Sequence, residues 1–500
     1  MICRAFCHNK GNQKRGENLL KGEENTAQSG QPEEDNKKTN DNDFSKGSIV
    51  RHILSLAVPM TLAQLINVLY SVVDRIYIGH LPHASAEALT GIGLCLPIIT
   101  IISAFANLFG MGGAPLCSIA RGGHEEKRAQ KVMGNSFSML LLTGAVLMIL
   151  CLVLKRPILY LFGASEATYG YANDYITIYL LGTIFVMVSL GMNNFTNAQG
   201  FGKMGMLTVL LGAVMNIILD PVLIFGFDMG VQGAAIATVI SQGASALWVF
   251  VFLTGKKALF RLTRESMRLK ASLVKDITFL GTSGFVMSVT NGTVQIVCNA
   301  VLARYGGDLY VGIMTVINSV REIATLPLNG LTSGAQPVMG YNYGAGCYKR
   351  VKSSIRFITV VGIVFSLILW AVVFLEPRFF LHLFTSEQGL IEKGIPALQI
   401  YFCGIFMMAL QFVGQSTNVA LNRPKQAVFF SLFRKVIIVV PLTILLPMIG
   451  GLGTDGVFWA EPVSNVIGGT ACFVAMLVTV WPTLKEKGAD SSGAPSAKTR

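Results

Sequence analysis

The feature that most constrains this chain is an apolar run of about 20 residues that stops, yields to a few polar residues and starts again, from near Ile49 to near residue 480. At 1.5 Å per residue, about 20 helical residues cover the roughly 30 Å of a bilayer's hydrocarbon core. Inside hydrocarbon every backbone N–H and C=O must be satisfied by the protein itself, so only helices and closed barrels can cross. A barrel would read as alternating segments of about ten residues, and the runs here do not alternate. Charged residues make up 13% of the 500 and hydrophobic ones 52%, whereas a soluble domain carries about 25% charged residues. The expected fold class is an all-α membrane protein.

The runs divide into twelve spans, at 50–79, 86–112, 132–154, 171–194, 204–226, 231–254, 276–304, 310–338, 355–375, 395–417, 427–449 and 456–480. Residues 1–47 are polar and contain no apolar core segment, so they read as a disordered cytoplasmic tail and not as a signal peptide. A second polar tail is expected at 483–500. The longest internal break, "TGKKALFRLTRESMRLKASLVK", falls in the middle of the helical region. It separates an N-lobe, 48–254, from a C-lobe, 276–482, with a basic linker at 255–275.

The +13 net charge has a local source. Basic residues such as Arg121, Lys127, Arg128, Lys131, Lys256, Arg264, Lys349 and Arg350 gather in alternate loops, while the opposite loops hold little beyond Lys155, Arg156, Arg304, Arg378 and Lys393. Cytoplasmic loops carry the Lys/Arg excess. Both termini are therefore expected in the cytoplasm, in a multi-pass protein of the cell's inner (plasma) membrane. This charge pattern implies a lipid bilayer as partner and no nucleic acid.

The two halves repeat. "RPILYLFGAS" at 156–165 resembles "EPRFFLHLFTS" at 376–386; Tyr179 and Gly182 match Tyr401 and Gly404; Thr196 and Asn197 match Thr417 and Asn418. Six spans per half is an even number, so the repeats are parallel and related by an axis along the membrane normal. Two pseudo-symmetric six-helix bundles leave a central cleft suited to alternating access by rocking.

Ionisable residues inside spans are costly, about 2.5–3.5 kcal/mol at the helix centre on insertion scales, and mark functional positions. The first half offers Asp74 and Asp220; the second offers Arg321, Glu322, Arg434, Lys435 and Glu461. Asp74 and Asp220 fall at matching depth, about 8–10 Å from the outer ends of spans 1 and 5. Asn216, four residues before Asp220, shares its helix face, and Thr238 in span 6 reaches the same level. All four offer oxygen ligands, which suits a proton site or a small hard cation such as Na⁺. Burial and a second carboxylate both disfavour the charged form, so the pair is expected to bind and release protons as a coupled unit. Arg75, next to Asp74, points about 100° away on the helix. Pro59, 15 residues before Asp74, removes a backbone hydrogen bond and is the expected hinge of span 1. The second half keeps no acid at the matching positions, where Ile296 replaces Asp74.

"VDRIYIG" at the end of span 1, "NIILDP" in span 5 and the Gly/Pro-rich ends of spans 2 and 8 resemble the multidrug and toxic compound extrusion family, over about residues 48–482. Pro59, Asp74, Asn216, Asp220 and Thr238 fit the spacing of its bacterial branch with an amino-lobe aspartate pair. Tyr70 and Asn193 resemble cavity-lining positions. The resemblance implies a secondary antiporter, working without a cofactor and as a monomer, that exports small cationic or amphipathic organic compounds in exchange for H⁺ or Na⁺. The expected cleft lining is mostly apolar, Met and aromatic.

A flippase for a lipid-linked sugar is the alternative transporter, and it would use cations such as Arg321 and Arg434 to hold pyrophosphate. An intramembrane enzyme would need clustered nucleophile, base or metal ligands. The six His lie in the tail, loops or span ends, and neither H-E-x-x-H nor G-x-S-x-G nor Walker spacing occurs. The nine cysteines are scattered without a metal or disulfide spacing, and those inside spans read as small core residues.

Overall fold

The computed structural model describes residues 43–79, 85–385 and 387–490, and its secondary structure is helical throughout. The helices are α1 (Ile49–Gly79), α2 (Ser85–Gly122), α3 (Glu126–Leu161), α4 (Glu166–Leu181), α5 (Thr183–Ala198), α6 (Gly202–Pro221) and α7 (Gly230–Thr254) in the first half. The second half has α8 (Ala271–Gly344), α9 (Tyr348–Leu375), α10 (Pro377–His382), α11 (Gln388–Phe402), α12 (Ile405–Ala420), α13 (Pro424–Leu432), α14 (Val440–Leu445), α15 (Gly453–Ser464) and α16 (Thr470–Asp490). Nine helices among the described residues are long and apolar enough to cross a membrane, and two bent pairs pass the same test together. Counting each bent pair once and the 74-residue α8, which folds back on itself, twice gives the expected twelve crossings.

The fold-back in α8 is set by Gly307, whose φ of 68° lies where a side chain would be strained. Gly281 and Gly344, on either side of it, both pack on α2, at Leu108 and Ile119 respectively. The chain therefore reverses at Gly307 and returns to the same helix.

The bent pairs account for one of the sequence repeats. Spans expected to be continuous at 171–194 and 395–417 are broken, by 57° between α4 and α5 and by 45° between α11 and α12. The breaks fall at Gly182 and at Cys403–Gly404, within the matching stretches "IYLLG" and "IYFCG". At each, the missing side chain admits a neighbour: a Cβ on Gly182 would strike Val239 of α7, and one on Gly404 would strike Pro462 of α15. In contrast, α2 does not stop at residue 112, the expected end of span 2. It runs on to Gly122, and its glycines are spent on packing and not on ending the helix.

That packing forms the seam between the halves. A Cβ on Gly112 would meet Ile277 and Gly281, one on Gly122 would meet Tyr341, and ones on Gly330 and Gly334 would meet Thr61 and Ala57 of α1. Small residues let helix backbones approach closely where lipid supplies no hydrophobic drive. Three buried apolar clusters surround the seam. One runs from Ile78 to Leu280, one from Val294 to Phe458, and the third joins Phe44, Ile53, Leu56 and Ala57 to second-half residues such as Ala335, Ile355 and Met476. Phe44 is buried, lies under the Arg121 guanidinium at 4.9 Å, and gives its carbonyl to Arg350 and Asn342. The basic segment after α7 is also held in place. Asn135 donates to the carbonyls of Ser266 and Arg268 and accepts from the Lys270 amide, while Gln199 pairs with the backbone of Phe260. Large apolar side chains such as Val153, Leu161, Ile296 and Leu375 are exposed, as a lipid-facing surface requires.

Replacing Gly281 by Val should destabilise the protein by about 1–3 kcal/mol, the usual cost of overpacking. Gly292→Ala, where a Cβ meets nothing within 4 Å, should be neutral or slightly stabilising. Thermal denaturation of the purified protein in detergent, followed by intrinsic fluorescence, checks both.

Candidate functional site

Helical spacing assembles the first-half site from three spans. On α1, Asn67, Tyr70 and Asp74 follow at intervals of three and four and so share a face. On α6, Asn216 and Asp220 are one turn apart, and on α7 so are Thr238, Ser241 and Gln242. Asn216 Nδ2 donates to Asp220 Oδ1 at 3.1 Å, and Asp220 has no accessible surface. The half-buried Asp74 carboxylate lies close enough to act on it electrostatically. Thr238 lies beside Tyr175 of α4, whose ring stacks on Tyr179 at 6.1 Å. The structure thus brings together Asp74, Asp220, Asn216, Thr238 and Tyr70.

Beside the acids lies a cavity of about 30 Å³, lined by Asn67, Tyr70, Asn216, Thr238, Ser241 and Gln242 among others. It has room for a water or a small ion. Asn216 Oδ1, Ser241 Oγ, Gln242 Oε1 and Asp220 Oδ2 are buried with no donor assigned to them. Buried polar atoms normally find partners, and groups left without one point to a missing water or ion. Here all four are oxygens, the ligand type that suits a hydrated proton or Na⁺. Directly after Asp220, Pro221 ends α6 and the chain makes one π-helical turn, Val222–Gly226, a local widening frequent at functional positions.

The other expected positions are distributed differently. Pro59 lies inside α1. Asn193 Nδ2 donates to the Gly205 carbonyl between α5 and α6. Its neighbour Asn194, turned by one helical step, faces the central cleft instead. The Arg75 side chain lies outside the described residues. The cleft, about 250 Å³, takes Met60 and Gln64 from α1, Met111 from α2, Asn194 and Asn197 from α5, and Asn329, Ser333 and Gln336 from α8. With Ala114, Pro115 and Pro337 the lining is mostly apolar and carries methionines, as expected, but amides and hydroxyls stand where aromatic rings were expected. The α5 amides fall on the inner face of a helix that begins at the Gly182 bend, which the sequence did not reveal.

The second half carries a site of opposite chemistry. Arg434 Nη1 donates to Glu461 Oε1 at 3.0 Å and to Asn465 Oδ1 at 2.6 Å, while Lys435 Nζ lies 3.2 and 3.4 Å from the two Glu461 oxygens. All three charged side chains are buried. Adjacent α-helical residues point about 100° apart; here both basic residues face inward from a π-helical turn, Phe433–Val439. Arg321 donates to Asn318 at 3.2 Å, while Glu322 is exposed. At the position matching Asp74, Ile296 is exposed and Gln295 bonds to Asn299.

Two helical bundles around a cleft, with buried ionisable groups in each, have the architecture of a membrane transporter. The chain belongs to the multidrug and toxic compound extrusion family: the MatE family model matches residues 59–222 and again 284–445, once in each half. It is similar to multidrug export protein MepA of Staphylococcus saprophyticus, at 25% identity over 88% of this chain and 95% of that protein. MepA of Staphylococcus haemolyticus is 26% identical over 87% and 94%. A crystal structure of MATE in the bent conformation superimposes with a TM-score of 0.84, at 21% identity over 89% of this chain and 98% of the other. That likeness establishes the shared fold of twelve helices in two bundles. The protein is therefore a multi-pass protein of the cell membrane.

Glu461→Ala would leave Arg434 and Lys435 buried without their carboxylate. Breaking a buried pair costs about 3–5 kcal/mol, so the variant should lose thermal stability in detergent or fail to accumulate. Glu322→Ala, at an exposed position, should change stability by less than about 0.5 kcal/mol.

Proposed function

We propose that the protein is a secondary multidrug efflux antiporter that exports small cationic or amphipathic organic compounds in exchange for H⁺ or Na⁺ bound at Asp74 and Asp220. The observation that carries this reading is the meeting of two carboxylates beside a cavity of orphan oxygens. Asp74 and Asp220 hold the coupling ion, Asn216 orients Asp220, and Thr238 and Tyr70 complete the polar wall. A proton or Na⁺ bound there offsets the mutual repulsion of the two carboxylates. Two charged carboxylates would repel across a poorly screened space, so releasing the proton biases α1 and α6 apart, and rebinding it draws them together. Pro59 sits 15 residues before Asp74 and gives α1 a place to bend.

Substrate occupies the central cleft between the lobes 48–254 and 276–482, which rock about it as a monomer with both termini in the cytoplasm. The cleft amides offer dipoles and the methionines an adaptable surface, a combination that suits varied ligands. Ion and substrate weaken each other's binding by the same factor, as linkage requires. The family and the names of the curated relatives favour drug export over lipid-linked sugar flipping, and Arg434, held by Glu461, is a poor pyrophosphate ligand.

Ethidium efflux from cells or vesicles, with proton and sodium gradients imposed separately, tests the mechanism. Asp74→Asn and Asp220→Asn should each reduce gradient-driven efflux at least about tenfold, a loss of about 1.4 kcal/mol or more in the coupling, while the purified variants stay monodisperse. Wild-type efflux in either variant would reject the coupling role. A response to the sodium gradient alone would reject H⁺ as the driving ion.

A further inference from the structure

The second half contains a cluster that ion coupling at Asp74 leaves unused. Three basic side chains, Arg321, Arg434 and Lys435, surround a single carboxylate, Glu461. Glu461 already accepts from Arg434 and Lys435. Arg321 remains: its Nη2 reaches only the neutral Asn318, and its Nε is buried without a hydrogen-bond partner. A buried guanidinium with no carboxylate hydrogen-bonded to it is costly, and its fork matches a carboxylate. Arg321, Lys435 and Glu461 share the wall of a cavity of about 20 Å³, space for one water-sized group.

A second cavity, of about 110 Å³, adjoins the first. The two share Asn291 and Lys435. The larger cavity is walled by Met111 of α2, Met287 of α8 and Phe412 of α12, and it shares Met111, Ser333 and Gln336 with the central cleft. An apolar chamber that opens from the cleft thus ends at buried cations.

We propose that this chamber is a substrate subsite for amphipathic organic anions, with the anionic head bound to Arg321 past the shared wall of Asn291 and Lys435 and the apolar body against Met287 and Phe412. It extends the range of ligands beyond the organic cations of the preceding reading. It does not rest on the coupling role of Asp74 and Asp220, because binding requires no gradient.

Equilibrium dialysis of the full-length protein in detergent tests it, with radiolabelled 2-naphthoate as the probe and 2-naphthalenemethanol as its neutral counterpart. 2-Naphthoate should bind saturably. Arg321→Gln should weaken it about tenfold, the scale of one charge-assisted hydrogen bond, and Arg321→Lys should restore most of that loss. Binding of the neutral alcohol should not change among the three proteins. On the wild type alone, 2-naphthylmethylammonium should fail to displace 2-naphthoate, a result independent of how the variants fold. The proposal is overturned if Arg321→Gln leaves naphthoate binding unchanged, or if the ammonium compound displaces it as well as unlabelled naphthoate does. Arg321-dependent binding of chloride without binding of naphthoate would also overturn it, in favour of an inorganic anion.

Discussion

The bilayer's lack of water is the constraint on which the rest of the structure depends. It forces the backbone into helices, and it makes each buried polar side chain either a paired group or an expensive one. Both outcomes occur here. In the second half, Glu461 takes up Arg434 and Lys435 at 3.0 and 3.2 Å. In the first half, four buried oxygens around Asp220 and Asn216 lack donors. In water such oxygens would be solvated and uninformative. In a membrane span they amount to a specification for what should bind.

The same solvent removes the hydrophobic drive between helices, so the halves meet through backbone proximity. The glycines of α2 and α8 and those facing α1 form a seam in which Leu108, Ile119, Thr61 and Ala57 approach main chain with little side chain between. A close seam tolerates two discrete packings better than a continuum of loosened ones. The bends at Gly182 and Gly404 repeat this economy inside each bundle. A residue without a side chain is what allows one helix to turn and its neighbour to fill the angle.

Much of this was legible because it is periodic. Run length gave the twelve crossings, loop punctuation gave most boundaries to within several residues, and helical phase put Asn216 on the face of Asp220. The internal repeat paired Tyr179 and Gly182 with Tyr401 and Gly404, though nothing in the pairing said that both stretches bend. The remaining gaps concern rotation and contact between spans. Whether Asn193 or Asn194 faces the cleft is a matter of one helical step, set by the bend at Gly182. Tyr175 enters the acid site only because α4 packs beside α7. Ser241 and Gln242 did leave a signal, polar residues three and four positions after Thr238 in an apolar span, and that spacing could have marked them. The inward turn of both Arg434 and Lys435 depends on a π-helical segment that no residue pattern announced.

The two halves therefore descend from one pattern and have diverged in charge. One keeps carboxylates near a small oxygen-lined cavity; the other has given up the matching acid at Ile296 and gathered cations on a neighbouring span. The cleft lies between them, walled by uncharged amides from α5 and α8. A neutral cleft flanked by unlike charges does not hold a permanent ion of either sign by itself. On the proposed coupling, its preference is set by whichever flank a ligand leans toward, and the field reaching it changes whenever the acidic flank gains or loses a positive charge. In a medium that screens so weakly, that change is felt across the bundle without any contact between ion and ligand. Broad recognition and ion coupling can then share one scaffold, because neither requires the cleft itself to be charged.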